Sequence, residues 1–276
     1  DLAFESSHIL PKTIYLGIGD KISDTQAMIC DSMKDNAGNC QFFEIANPQE
    51  ATMLDGVVSE DRTSALAIGI PELEGLWIIG GQSTKSTEII TKTGTQPGPQ
   101  TPKQNIRRSC MVRINSTTYF MMGGARTSTK KNSWFCHMTA EDPQDWRWIN
   151  GPDLQDQRDG HGCISWHIND KVVPVVIGGT KKTSSEFLDL DTNEWYYGPS
   201  LDFVLEVPGI AEISNKNLNE IFLFGGKNGS NQSNQETLNL IYKLKCDDQN
   251  QINTCHWFQM AQQLQKPRKS GIVIQI

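Results

Sequence analysis

Four times along this sequence an unbroken apolar run ends in two consecutive glycines. The copies are Leu76-Trp77-Ile78-Ile79-Gly80-Gly81, Tyr119-Phe120-Met121-Met122-Gly123-Gly124, Val173-Pro174-Val175-Val176-Ile177-Gly178-Gly179 and Ile221-Phe222-Leu223-Phe224-Gly225-Gly226. A short continuous apolar run reads as a strand covered on both faces. The glycines after it permit positive φ and let a neighbouring backbone come close. One such ending is weak evidence, but four at near-regular separations mark a repeat architecture. Thr13-Ile14-Tyr15-Leu16-Gly17-Ile18-Gly19 reads as a fifth, weaker copy.

The flanks repeat as well. Upstream of the runs, basic residues introduce another strand: Arg62-Thr63-Ser64-Ala65, Arg108-Ser109-Cys110-Met111, Arg158-Asp159-Gly160-His161-Gly162-Cys163, and Arg268-Lys269-Ser270-Gly271-Ile272-Val273. Downstream come a polar loop, a third strand, a turn such as Asp191-Thr192-Asn193, and a fourth strand with Trp195. Trp146, Trp148 and Trp257 stand at comparable places.

A four-strand unit with Gly-Gly closing strand two and Trp on strand four resembles the kelch repeat, over nearly the whole chain. The resemblance implies an all-β fold, a kelch-type β-propeller with one four-stranded blade per unit, in a single domain over residues 1–276. The expected count is five blades: 10–50 plus 268–276, then 60–100, 106–155, 157–203 and 204–266. The C-terminal strand would close the ring on the N-terminal blade, removing two exposed edges. Six blades are the alternative, with residues 1–10 the remnant of a further unit. The first unit departs from the pattern with Gly-Ile-Gly, the second lacks the strand-four Trp, and the fifth lacks the basic residue before strand one.

Cys30 and Cys40, and likewise Cys246 and Cys255, flank short polar loops, and the repeat frame puts both pairs at the junction of strands three and four. Facing residues of a non-hydrogen-bonded antiparallel pair lie within disulfide range, so two disulfides are expected. Cys110 and Cys163 fall at equivalent strand-one positions and read as buried inert thiols; Cys136 is left over. Disulfides imply an oxidising compartment. The sequons at Asn115, Asn228 and Asn231 agree, so the expectation is a secreted glycoprotein. Residues 1–5 show no basic n-region or apolar h-region, which leaves an untargeted chain or a leader removed upstream.

The five histidines, His8, His137, His161, His167 and His256, have no metal-ligand spacing. Copper oxidases with a kelch-like propeller would need paired Tyr and His ligands, which the five tyrosines do not form; phosphate loops and ordered triads are missing too. A formal net charge of −7 gives nucleic acid no support, and no run approaches the roughly 20 apolar residues of a membrane span. The expectation is therefore a non-catalytic extracellular module without cofactor, binding a protein or glycan through its loops. A structural subunit of an extracellular assembly, or a fragment of an intracellular kelch adaptor, are the alternatives. The loops after the Gly-Gly pairs hold Lys85, Arg126, Lys130, Lys131, Lys181, Lys182 and Lys227 with almost no acid nearby, and the inter-blade segments add Arg107, Arg108 and Arg268. These are the candidate binding residues, for a protein, an anionic glycan, or the acidic face of another copy in self-assembly.

Overall fold

The computed structural model describes residues 17–23, 26–31, 38–44, 47–59, 62–81, 84–125, 130–168, 170–215, 218–229, 236–247 and 252–268. The first sheet is β1 (Gly17–Lys21), β2 (Gln26–Asp31), β3 (Gly38–Glu44) and β4 (Asn47–Val58). The second is β5 (Leu66–Ile70), β6 (Gly75–Ile79), β7 (Thr87–Thr91) and β8 (Gly94–Pro97). The third is β9 (Cys110–Asn115), β10 (Thr118–Met122), β11 (Ser133–His137) and β12 (Arg147–Asn150), and the fourth is β13 (Gly162–Ile168), β14 (Lys171–Ile177), β15 (Ser185–Asp189) and β16 (Glu194–Tyr197). The chain continues through β17 (Leu205–Glu206), β18 (Gly209–Asn215), β19 (Leu218–Phe224), β20 (Lys227–Asn228), β21 (Glu236–Thr237), β22 (Leu240–Cys246) and β23 (Cys255–Gln263). The fifth four-stranded sheet is β18-β19-β22-β23, and β17-β20-β21 form a small three-stranded one. Among the described residues every strand pair is antiparallel, and the helical content is three single 3-10 turns.

The continuous apolar runs become the second strands, and their period of two explains why they are continuous. Leu76 and Ile78 of β6 pack toward the first sheet, whereas Trp77 and Ile79 pack toward the third. Phe120 and Met122 of β10 face the fourth sheet while Tyr119 and Met121 face the second. Val175 and Ile177 of β14 join the core shared with the fifth sheet, and Val176 the core shared with the third. Successive side chains of a strand point to opposite faces, so a sheet with a neighbour on each side needs apolar residues at both parities. One apolar core thus lies between each successive pair of sheets. The first strands also follow one another: β1 packs beside β5, β5 beside β9, β9 beside β13, and β13 beside β18.

The Gly-Gly pairs make the seams. The second glycine of the first three pairs donates its N–H to a carbonyl just before the next sheet, Gly81 to Ile106 at 2.8 Å, Gly124 to Arg158 at 3.0 Å and Gly179 to Leu205 at 2.8 Å, and Gly226 donates in the same way to Arg268, beyond β23, at 2.7 Å. Gly80 has φ +68, and a Cβ there would lie 2.5 Å from the Ile106 carbonyl oxygen, so no other residue fits. Two residues before each following strand, Ser64, Arg108, Gly160 and Val207 have φ of 60, 52, 60 and 45. That left-handed turn aims each N–H sideways. Arg108 donates to the Ser64 carbonyl (3.0 Å), Gly160 to Arg108 (2.9 Å) and Val207 to Gly160 (2.7 Å), a backbone ladder running from sheet to sheet.

Side chains tie the first strands of neighbouring sheets together further along. Asp20 accepts the Gly69 N–H at 2.9 Å, and burial pushes its carboxyl above the usual range. Glu212 of β18 accepts the His167 backbone N–H at 2.9 Å and meets His167 Nδ1 at 2.7 Å. The hydrogen bond to Glu212 raises the imidazole pKa above its ordinary 6.5, against desolvation. A raised folded pKa stabilises the fold in full below about 6.5, and the contribution is lost as pH rises through the folded value. The urea midpoint of the wild type is therefore expected to fall, relative to His167→Gln, between about pH 6 and about pH 8.5. A difference between the two that is constant with pH would remove this coupling.

Three sequence expectations are corrected here. Residues 17–19 lie in a first strand, not at the end of a second, because residues 17–58 supply four strands by themselves. The expected closing strand, 270–276, and residues 13–16 lie outside the described residues. Cys30–Cys40 joins strands two and three of its sheet, whereas Cys246–Cys255 joins strands three and four, so the two hairpins are not equivalent. Cys110 and Cys163 are not free thiols: they form a disulfide across the seam between β9 and β13, 53 residues apart in sequence with Cα atoms 6.0 Å apart. Equivalent positions on neighbouring first strands face each other, which the sequence frame could not express. Cys136 is the free cysteine, buried, with its thiol pushed up to about 12 by desolvation.

Candidate functional site

The Gly-Gly end of the sheets gathers the charged residues picked from the sequence, and the structure sorts them into three groups. Arg62 and Arg158 are fully buried. Arg158 donates through Nε to Glu186 (2.8 Å) and through Nη1 to the carbonyls of Gly178 (2.7 Å) and Ser184 (2.8 Å). Arg62 repeats the scheme two sheets earlier, with Glu88 and the carbonyls of Gly80 and Ser86. These guanidiniums satisfy the Gly-Gly turn from inside and are part of the frame.

Arg108 is different. The glycine hydrogen bonds show that Ile106, not Arg108, stands where Arg62 and Arg158 stand; Arg108 holds the left-handed ladder position of Ser64 and Gly160. Its side chain therefore leans over the next sheet. Nη2 lies 3.1 Å from Thr180 Oγ1 and 3.3 Å from Glu206 Oε2, and Nε lies 3.1 Å from Asp159 Oδ1. A Cβ at Gly160 would sit 2.5 Å from Arg108 Nη2, so glycine there makes room for the arginine. Lys130 pairs with the other Asp159 oxygen at 2.9 Å, and Lys182 pairs with Asp156 at 2.7 Å. Desolvation pushes the Asp159 and Asp156 carboxyls up, but hydrogen bonds from Lys130 and Thr180, and from Lys182 and Ser184, outweigh it and hold both below the usual range.

His161 lies beneath this cluster, wholly buried, packed where a Cβ on Gly123 would come 2.7 Å from its Cε1. Desolvation, with the charges of Arg158 and Arg108, pushes its pKa down to about 3, so the imidazole is neutral. Neither ring nitrogen has a hydrogen-bond partner among the described residues.

The third group is exposed. Lys85, Lys131 and Lys181, one from the loop between strands two and three of three successive sheets, are exposed and form no ion pair among the described residues, as does Arg268. Arg107 is half-buried, Lys227 is half-buried in β20, and Arg126 lies outside the described residues. The expectation of almost no acid nearby is corrected: Asp156, Asp159 and Glu206 stand among the cations. Asp159 was legible beside Arg158 in the sequence, but Glu206 comes to the cluster only through the short β17–β20 pairing.

Of the sequons, Asn115 is exposed in the β9–β10 turn, with its Oδ1 accepting from the Thr117 N–H at 2.9 Å. Asn228 is half-buried in β20, and Asn231 lies outside the described residues. A separate cleft of about 440 Å³ is lined by Gly98, Pro99, Gln100, Gln144, Trp146, Arg147 and Trp148 and shares no residue with the cluster. No helix of the described residues is long and apolar enough to cross a membrane, and no three of His, Cys, Asp or Glu converge on a metal-sized site among them.

The chain matches no family model and no curated protein. Among solved structures it is similar to a fungal alcohol oxidase of the AA5 family, described as catalytically diverse and in complex with copper, with a TM-score of 0.58 at 12% identity. The match covers 78% of this chain and 49% of that one, so the chain spans about half the length of the solved structure. At that identity the likeness is one of fold. It overturns the expectation that this fold marks a non-catalytic module, because the solved structure of similar fold is that of an alcohol oxidase.

Proposed function

We propose that this chain is a five-bladed propeller of the kelch type, exported to an oxidising compartment, whose Gly-Gly face takes a polyanionic glycan. Succession of the first strands, with one core per seam, supports the propeller; three disulfides and the exposed sequon at Asn115 support export and glycosylation. The ligand reading is carried by one observation: the inner cations are consumed by Asp156, Asp159 and Glu206, while Lys85, Lys131 and Lys181, in successive sheets, have no ion-pair partner among the described residues. Cations spread over three sheets do not converge on one small anion. A chain of sulfates or carboxylates engages them together, and such binding is screened by salt.

The alcohol oxidase in complex with copper bears on the scaffold only. The described histidines are His137, His161, His167 and His256, and no three of His, Cys, Asp or Glu converge on a metal-sized site among the described residues. Tyr119 and Cys136 face each other across β10 and β11 inside the core, where the phenol donates to the Gly69 carbonyl at 3.2 Å. Copper does not fit these residues, and they support no step through it.

Binding to immobilised heparin and to polysialic acid tests the glycan reading. The triple variant Lys85→Ala, Lys131→Ala, Lys181→Ala is expected to bind about tenfold or more weakly near 0.1 M salt, while Lys171→Ala, whose lysine is paired with Asp191, stays near wild type. Binding that ignores both salt and the triple variant would remove the proposal.

A further inference from the structure

A tryptophan–proline clasp closes two of the seams near their outer strands. Trp195 of the fourth sheet donates its indole N–H to the Pro152 carbonyl after the third, and Trp257 of the fifth donates to the Pro199 carbonyl after the fourth, both at 3.0 Å. A serine of strand three, Ser133 or Ser185, donates its hydroxyl to the same proline carbonyl. Trp148 holds the matching position in the third sheet: it faces Cys136, three residues past Ser133, as Trp195 faces Leu188, three past Ser185. Gly98-Pro99 is the matching partner segment, with Thr87 donating to the Pro99 carbonyl at 3.1 Å. Here the clasp is open. The Trp148 N–H is buried without a hydrogen-bond partner among the described residues, and the cleft of about 440 Å³ is lined by both segments.

We propose that this cleft binds a neutral sugar, one of whose hydroxyls enters between Trp148 and Pro99. The open clasp asks for a single group that accepts from the indole N–H and donates to the Pro99 carbonyl. A hydroxyl does both, whereas a peptide carbonyl or a carboxylate only accepts. A buried indole N–H without an acceptor costs free energy that such a group recovers on binding. The rest of the lining suits a pyranose ring. Trp146 and Trp148 offer apolar ring surface, Gln100 and Gln144 bring exposed amides that both donate and accept, and no Asp or Glu lines the cleft. This seam also carries a third indole, Trp77, where the next two carry Phe120 and Val175. Its ring centroid lies 5.7 Å from that of Trp148, and its N–H goes to the Thr87 hydroxyl at 2.9 Å, so it supplies no partner to Trp148. The cleft shares no residue with the lysines of the Gly-Gly face, so the two ligand readings stand or fall separately.

Titration of the intact, oxidised chain with the methyl glycosides of glucose, galactose and mannose tests this, read at the indole N–H resonances and by saturation transfer to the sugar. The Trp148 resonance, assigned by its loss in Trp148→Phe, is expected to shift saturably with at least one glycoside, at a dissociation constant of about 10 mM or below, and not with glycerol. Trp148→Phe keeps an aromatic face but removes the donor, and is expected to weaken binding about fivefold, the worth of one hydrogen bond. Gln144→Ala, at an exposed side chain, should weaken it by about as much with an unchanged circular dichroism spectrum. The triple lysine variant should bind the sugar like wild type, without salt dependence. No saturable shift with any of the three glycosides, an equal response to glycerol, or a response to a proline-rich peptide and to no sugar would each overturn the proposal. So would wild-type binding by both Trp148→Phe and Gln144→Ala, or loss of binding in the triple lysine variant.

Discussion

Arg158→Ala is expected to lower the unfolding free energy by about 3–5 kcal/mol, the range for breaking a buried ion pair from one side. Arg158 and Glu186 are both fully buried, so truncation leaves a carboxylate without its cation in the interior. It also removes the donor to the Gly178 carbonyl and leaves the Ser184 carbonyl with the Gly178 N–H alone, at 3.0 Å. Glu186 keeps only the backbone N–H groups of Gln155 and Asp156, at 2.7 and 3.1 Å. Lysine cannot substitute, because one ammonium does not span a carboxylate and two carbonyls in the planar fork that arginine offers. Urea unfolding of Arg158→Ala, Arg158→Lys and Arg268→Ala would check the claim. Arg268 occupies the equivalent backbone position but is exposed, so its side-chain loss should stay within about 0.5 kcal/mol. A cost for Arg158→Ala below about 1 kcal/mol would mean the frame does not depend on this pair.

Removing the Cys110–Cys163 bridge, by replacing both residues with alanine, should cost more than removing either hairpin bridge. On the chain-entropy account, a cross-link spanning 53 residues is worth about 4 kcal/mol, whereas those spanning 10 and 9 are worth about 2.5 kcal/mol each. The first also staples two sheets across a seam, at residues close in sequence to Arg108 and His161, while the others close turns within one sheet. Three double-alanine variants compared by urea unfolding give the ranking directly. If either hairpin bridge proves costlier than the inter-sheet one, the seam between β9 and β13 is held by its packing and ladder bonds rather than by the disulfide.

Much of the sheet framework was legible because its signals are local. Apolar residues at both parities in 76–79, 119–122 and 221–224 mark strands covered on two sides, and paired glycines after them mark a φ that side chains rarely adopt. Cys246 and Cys255 lie on facing strands a short turn apart, so their pairing is a local matter too. Where the local signal was weak, as in Gly17-Ile18-Gly19, the reading slipped by one strand. The basic face was half legible: the lysines are visible in the loops, but the acids that neutralise the inner ones arrive from other sheets.

A chain read by itself determines alternation, turn chemistry and repeat length, and those made this protein a series of four-stranded antiparallel sheets. Which residues of different sheets meet was decided only in three dimensions, since that depends on how successive sheets twist and stack. The stacking set Cys110 against Cys163, turned Arg108 toward Asp159 and Glu206 while Arg158 went inward, and left the Trp148 N–H without a partner among the described residues. Neighbours separated by a whole sheet in sequence carry no mark of each other in composition or period, because contact across a seam is a property of the assembled layers.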